Sequence, residues 1–239
     1  MYCSDIFTGL QLAMGPVVLC FWQLCPRALE EMMKKPMDSE VFIAEQKRML
    51  AENPECANSS YNLGVAMMQR GEFDRAVDAF KDAVAGSARM FEAYVNLGYI
   101  HFQKGEMDKV VEMNLKAVEI EPRYARGYAN LGFAYLQMSL AEEAVKALLH
   151  AIELNPRIVQ AWSNLINAYL LLDDLDKAVE AGEKLVEIAP DFPLGHNNLA
   201  AAYYNRGDGE KALEHLQKAV SLGFEPHPDF AAMLTRGKE

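Results

Sequence analysis

Apolar positions in the middle of the chain recur with the spacing of amphipathic helices, and the pattern itself repeats every 34 residues between about residues 57 and 226. In each repeat a leucine and a large side chain four positions later share one face of a first helix. Small side chains line one face of a second helix and allow close packing. The pattern therefore predicts five pairs of antiparallel helices. The leucines are Leu63, Leu97, Leu131, Leu165 and Leu199, and the small side chains begin at Ala76, Val110, Ala144, Ala178 and Ala212.

Both helices of a repeat are followed by residues that end a helix. Three second helices meet a proline, at Pro122, Pro156 and Pro190, which lacks the amide hydrogen that a continuing helix needs. Each first helix meets a residue suited to the left-handed conformation, namely Gly71, Gly105, Ser139, Asp173 or Gly207. These signals predict repeats at residues 57–90, 91–124, 125–158, 159–192 and 193–226.

A four-residue motif marks the same position of every first helix, and it reads YNLG at Tyr61–Gly64, VNLG at Val95–Gly98, ANLG at Ala129–Gly132, SNLI at Ser163–Ile166 and NNLA at Asn197–Ala200. With the alanine and proline positions, it resembles the tetratricopeptide repeat (TPR) family over about 170 of the 239 residues. The resemblance implies an all-α fold, a right-handed α-solenoid of antiparallel helix pairs (a TPR superhelix) with helical caps. It also implies a protein-binding role. The terminal repeats depart from the pattern at Ser60, Ala88 and Phe224, as capping repeats do.

Two further helices are predicted beside the array. Residues 38–56 predict a degenerate repeat, whose amphipathic helix runs from Asp38 to Glu52. Residues 227–239 predict a C-terminal capping helix with Asp229 as its N-cap. Its apolar face, which we expect to cover the last repeat, consists of Phe230, Met233 and Leu234.

The first 37 residues allow two interpretations. Ile6 to Cys25 is a run without a charged side chain, about the length that crosses a bilayer, although Gly15 and Pro16 interrupt it. The run predicts either a membrane anchor or a pair of short buried helices that cap the open end of the array. In the membrane interpretation, Arg27 and the two lysines after it place the repeats in the cytoplasm. We therefore expect a cytoplasmic protein, either free or membrane-attached through residues 6–25.

Charge and motif content argue against several other functions. The formal net charge is −11 and the basic residues do not cluster, so nucleic acid is not an expected partner. The sequence has no phosphate-binding glycine loop, no G-x-S-x-G motif and no metal-ligand spacing among its histidines and cysteines. We therefore predict that the protein is not an enzyme and needs neither cofactor nor metal.

The resemblance implies that first helices line a concave groove, where the asparagine of each motif forms one rung of a ladder. An amide both donates and accepts, so each rung can bind the backbone of a partner, or instead bond neighbouring helices. The predicted partner-binding residues are Asn62, Asn96, Asn130, Asn164 and Asn198, with Tyr61, Met68, Tyr99, Phe102, Arg126, Phe133, Leu136, Leu170 and Tyr204.

The expected partner is an extended or helical segment of a protein that is largely uncharged, because the predicted groove is apolar and aromatic. Relatives that grip the acidic tails of chaperones use lysines where this chain has Tyr61, Val95 and Ala129, so such tails are disfavoured. The resulting hypothesis is a scaffold or adaptor. The alternative is a membrane-tethered assembly factor for a membrane protein complex, attached through the N-terminal apolar segment.

Overall fold

The computed structural model describes residues 40–236, with side chains up to residue 232. The predictions for residues 1–37, and for the side chains of Met233 and Leu234, lie outside this part. Twelve helices occupy the described residues: α1 Glu40–Glu52, α2 Ala57–Gln69, α3 Phe73–Gly86, α4 Phe91–Gln103, α5 Met107–Ile120, α6 Ala125–Gln137, α7 Ala141–Leu154, α8 Val159–Leu171, α9 Leu175–Ile188, α10 Pro193–Arg206, α11 Gly209–Ser221 and α12 Pro228–Arg236.

The first helix of every repeat ends in the same turn. A residue with positive φ follows the helix, and the next amide bonds back across it to the carbonyl five residues earlier. In the third repeat, Ser139 has φ 60° and the Leu140 N–H donates to the Tyr135 carbonyl at 2.9 Å. The predicted left-handed positions are therefore confirmed, and they are Gly71, Gly105, Ser139, Asp173 and Gly207.

The chain forms two compact units that divide after Ile100, within α4. In the first unit α2 packs antiparallel to α3, and α1 packs on α2 with Phe42 and Ile43 buried. A Cβ at Gly64 would lie 2.8 Å from the Phe80 ring, so only glycine allows α2 and α3 to approach so closely.

The second unit is a stack of helix pairs. Pairs α6 with α7, α8 with α9 and α10 with α11 each pack internally, and each second helix also packs on the first helix of the next pair. Neighbouring first helices touch as well, α6 against α8 and α8 against α10. Leu148, Leu165, Leu185 and Leu199 are completely or almost completely buried among alanines, as the repeat pattern predicts. One face of the first helices therefore stays outside this core.

The last helix begins two residues earlier than predicted. The His227 carbonyl accepts the first helical hydrogen bond, from the Ala231 N–H at 3.1 Å, and Pro228 is the first helical residue. His227 is therefore the N-cap, and Asp229 lies inside the first turn. Proline favours this earlier start because its φ is already helical and its missing N–H would have had no partner there. The Phe230 ring packs edge-on against Tyr204, with ring centroids 5.8 Å apart.

Within residues 40–236, no helix combines the length and the apolar character needed to cross a membrane. The segment for which the sequence raises that question, Ile6 to Cys25, precedes the described residues.

Candidate functional site

An open pocket of about 460 Å³ lies between the first helices α6 and α8 of the second unit. Its floor is mostly apolar, and three primary amides stand among the apolar side chains. We call this feature the α6–α8 pocket; its lining residues are Phe133, Leu136, Gln137, Asn164, Asn167, Leu170 and Leu171. None of these seven side chains is charged, in a protein with a formal net charge of −11. The pocket is therefore suited to an uncharged ligand.

Four predicted site residues meet in this pocket, and a fifth extends it. Phe133, Leu136, Asn164 and Leu170 all line it. The Phe102 ring, at the end of α4, packs edge-on against Phe133 with ring centroids 5.5 Å apart. Because Phe102 and Leu171 remain exposed, the aromatic and apolar surface is accessible from solvent.

The asparagine ladder does not present five equivalent amides. Asn62 and Asn198 are buried, and they donate to Gln46 Oε1 at 3.3 Å and to Ser163 Oγ at 2.9 Å. Their side chains thus stabilise helix packing, the structural role that the sequence left open, because the neighbouring helices supply an acceptor and exclude solvent.

The other three rungs are more accessible. Asn96 Nδ2 donates to the Tyr61 hydroxyl at 3.2 Å, and Asn130 Nδ2 donates to Asn114 Oδ1 at 3.1 Å. Asn164 has no hydrogen-bond partner for its side chain within residues 40–236 and lines the pocket. Of the five rungs, Asn164 is therefore the one whose side chain forms no hydrogen bond within residues 40–236.

The remaining predicted residues are dispersed. Tyr61 and Met68 are half-buried in the first unit, and the Tyr61 ring packs on Phe80 with ring centroids 5.7 Å apart. Tyr99 is exposed. Arg126 is exposed outside the lining of the α6–α8 pocket, and Tyr204 is partly covered by Phe230.

Two pocket residues, Gln137 and Asn167, were missed in the sequence. Asn167 stands where earlier repeats have Val65, Tyr99 and Phe133, so the signal was a single polar exception in an apolar series. Gln137 belongs to a series of amides at one repeat position, the others being Gln69, Gln103 and Asn205. That second series could have been found by the same 34-residue comparison that found the ladder.

The polar groups of the pocket are amides, which donate and accept hydrogen bonds but carry no charge near neutral pH. Within the described residues, no group of three or more histidine, cysteine, aspartate or glutamate side chains is placed to hold a metal ion.

Comparison with known families now identifies the fold. Models of the tetratricopeptide repeat match residues 47–89, 68–125, 130–193 and 193–223, which together cover most of the chain. The chain belongs to the tetratricopeptide repeat family. The predicted all-α class of antiparallel TPR helix pairs is thereby confirmed. TPR arrays are protein-interaction scaffolds, and no catalytic family is identified among the matches.

Solved TPR structures resemble the chain over most of its length. A crystal structure of MamA is 26% identical with a TM-score of 0.65 and covers 73% of this chain and 100% of its own. YrrB, described as a TPR protein with an unusual peptide-binding site, is 22% identical with a TM-score of 0.69, covering 80% and 97%. PilF from Pseudomonas aeruginosa is 21% identical with a TM-score of 0.63, covering 77% and 90%. No curated protein matches the sequence.

Proposed function

We propose that this TPR protein is a scaffold or adaptor that binds an uncharged segment of a partner protein in the α6–α8 pocket. The observation that carries the proposal is the combination found there: half-buried or exposed apolar side chains surround three amides that have no hydrogen-bond partner within residues 40–236. A surface of this kind favours a ligand that offers both apolar side chains and a polar backbone.

The apolar part of the pocket supplies binding energy. Leu171 is 61% exposed and Phe102 is 38% exposed. Burying a fully exposed leucine or phenylalanine side chain contributes about 1.5–3 kcal/mol, so covering the exposed parts of these two side chains contributes roughly 1.5–3 kcal/mol in total, a modest part of a micromolar affinity. Exposed apolar residues that cluster in a concave site are typical of interaction surfaces.

The lack of charge in the pocket restricts the partner. A charged side chain would lose water on entering and would find no opposite charge among the lining residues. The resemblance to YrrB, which is described as having a peptide-binding site, supports a peptide segment as the ligand class.

The test is site-specific photo-crosslinking in cells. A photoreactive phenylalanine analogue replaces Leu171 in the pocket or, as the matched control, Leu149, which is 45% exposed on the second helix α7 outside the pocket lining. We expect discrete crosslinks to one or a few proteins from position 171 and none of them from position 149. Equal crosslinking from the two positions, or none from position 171, would contradict the proposal.

A further inference from the structure

The last repeat carries a histidine at two positions where the other four repeats carry none. His196 lies on the first helix α10, at the position of Trp162 in the preceding repeat, and His215 lies on the second helix α11, at the position of Ala181. The two rings lie against each other, with ring centroids 5.4 Å apart. The earlier repeats have Ser60, Tyr94 and Tyr128 at the first position and Ala79, Met113 and Ala147 at the second.

One nitrogen of His196 makes the hydrogen bond that the tryptophan makes in the preceding repeat. Trp162 Nε1 donates to the Pro156 carbonyl at 2.8 Å, and His196 Nε2 lies 2.9 Å from the Pro190 carbonyl oxygen, 34 residues later. A carbonyl can only accept, so His196 Nε2 carries the hydrogen and Nδ1 keeps its lone pair. Histidines that bind metals are held in this way, with one ring N–H donated to a carbonyl or carboxylate and the other nitrogen on the metal.

The remaining nitrogen of His196 faces the equivalent nitrogen of His215, and the two Nδ1 atoms are 3.1 Å apart. Two imidazole ligands of a tetrahedral zinc ion, with Zn–N distances of about 2.0–2.1 Å, have their nitrogens about 3.3 Å apart. The histidine pair therefore has nearly the spacing of two ligands of one ion. Binding needs no net loss of a proton, because the hydrogen on His215 Nδ1 can move through water to Nε2 of the same ring.

The surroundings of the histidine pair are compatible with a metal ion. His215 is half-buried, so an ion can reach the pair from solvent. Burial and the neighbouring His196 lower the pKa of His215, which keeps the ring in the neutral form that binds metals. The carboxylates of Glu214 and Glu183 act on the same ring and favour positive charge there, and Lys211 opposes them.

We propose that His196 and His215 bind one divalent transition-metal ion, Zn²⁺, through their Nδ1 atoms. Neutral imidazole is a ligand that suits zinc, copper and nickel. The protein supplies two ligands and water fills the other positions, because no group of three or more histidine, cysteine, aspartate or glutamate side chains within residues 40–236 is placed to hold the ion. The 19 residues between the two histidines match no metal-binding motif, so only the fold brings the ligands together.

The ion joins the two helices of the last repeat, α10 and α11. Each repeat of such an array is stabilised by its neighbours, and this one has a full repeat on one side and the nine-residue helix α12 on the other. A ligand that binds only the folded protein raises its stability. The metal site therefore stabilises the end of the array.

The test compares Zn²⁺ binding by the full chain and its variants, measured by isothermal titration calorimetry after a chelator has removed bound metal. His215→Ala introduces the residue of the preceding repeat, and the double variant His196→Trp with His215→Ala reproduces the tryptophan–alanine pair that this fold already accommodates there. His150→Ala is the matched control, because the His150 ring packs against Tyr128 and its Nδ1 lies 3.4 Å from Glu153 Oε2, a lone histidine beside a carboxylate.

We expect one Zn²⁺ to bind per chain in the wild type and in His150→Ala. Binding should be at least about tenfold weaker in His215→Ala and in the double variant, since losing even a residue that supports a metal ligand costs about 10–100-fold in affinity. Zn²⁺ should also raise the Tm of the wild type and of His150→Ala and leave that of the double variant unchanged. The unfolding transitions show that each variant is folded.

NMR of the histidine ring nitrogens locates the ion in the wild-type chain itself. Zn²⁺ should shift the Nδ1 signals of His196 and His215 together and leave those of His101, His150 and His227 unchanged. No Zn²⁺ binding by the wild type, equal affinity in the double variant, or shifts at only one of the two histidines would each overturn the proposal.

Discussion

At the residue scale, the residues 16 and 35 positions earlier in the chain decide which internal hydrogen bond each asparagine of the ladder forms. A hydroxyl or amide there accepts from the asparagine, as Ser163 does for Asn198. An alanine and a leucine leave Asn164 in the pocket without an internal partner in the described part of the chain. The five copies of one motif therefore do not imply five copies of one function.

The glycine of the same motif sets how closely a repeat packs. A Cβ added at Gly132 would lie within 2.6 Å of Leu148 Cδ2, and Leu148 is completely buried with little freedom to move. Alanine at this helical position would otherwise gain about 0.5–1 kcal/mol over glycine. The steric overlap between the added Cβ and Leu148 outweighs this gain, because overpacking a core costs about 1–3 kcal/mol.

We therefore expect Gly132→Ala to lower the free energy of unfolding by about 1–2 kcal/mol. Gly209→Ala is the control, since nothing lies within 4 Å of its added Cβ, and it should be neutral or slightly stabilising. Urea denaturation of both variants measures the difference. Equal stability of the two variants would show that a Cβ at position 132 can be accommodated beside Leu148 without a loss of stability.

At the element scale, the turns account for the agreement between the predicted and observed helices. Gly105, Ser139 and Asp173 all adopt positive φ, and each closes the same backbone hydrogen-bond pattern regardless of residue type. Local chemistry sets these helix ends, so the sequence could predict them. The start of α12 was predicted two residues late, because Asp229 was expected as the N-cap whereas Pro228 already begins the helix.

A histidine pair links the last two repeats. His196 Nε2 lies 2.9 Å from the Pro190 carbonyl oxygen, which can only accept, so Nε2 carries the hydrogen. His196 Nδ1 must then accept from His215 Nδ1, at 3.1 Å, when both rings are neutral.

The surroundings of His215 also disfavour its charged form. Burial and the neighbouring His196 lower the pKa of His215, Lys211 acts in the same direction, and Glu214 and Glu183 oppose them. The ring also stacks on Tyr203, with ring centroids 5.6 Å apart. The folded protein therefore favours the neutral His215 ring.

Stability should consequently fall in acid. The pKa of His215 is lower in the folded protein than the ordinary value of about 6.5 in the unfolded chain. Below about pH 6.5 the unfolded chain takes up a proton that the folded protein does not, so the free energy of unfolding decreases as the pH falls through that value. Above it His215 contributes no pH dependence.

Urea denaturation between pH 8 and pH 5 measures this effect, with His215→Gln as the comparison. We expect the wild-type protein to lose more stability over this range than His215→Gln does. Identical pH profiles would show that the pair is not responsible.

At the scale of the whole molecule, the fold could be predicted and the site could be predicted only in part. Periodicity predicted the helix pairs because each repeat must bury the same faces. The sequence also identified the apolar residues that line the pocket, such as Phe133 and Leu170. It could not show that Asn62 is buried while Asn164 is accessible, because that difference depends on which neighbouring residues supply an acceptor.

The central claim is that a partner segment binds in the α6–α8 pocket, and methyl NMR of the leucines tests it most directly. A synthetic peptide from a partner protein that crosslinks to position 171 is titrated into the full chain, and the methyl signals of pocket and control leucines are followed. We predict that Leu136, Leu170 and Leu171 shift, while Leu115 and Leu149, exposed on second helices, do not. Shifts concentrated at Leu115 and Leu149, with the three pocket leucines unchanged, would contradict the account.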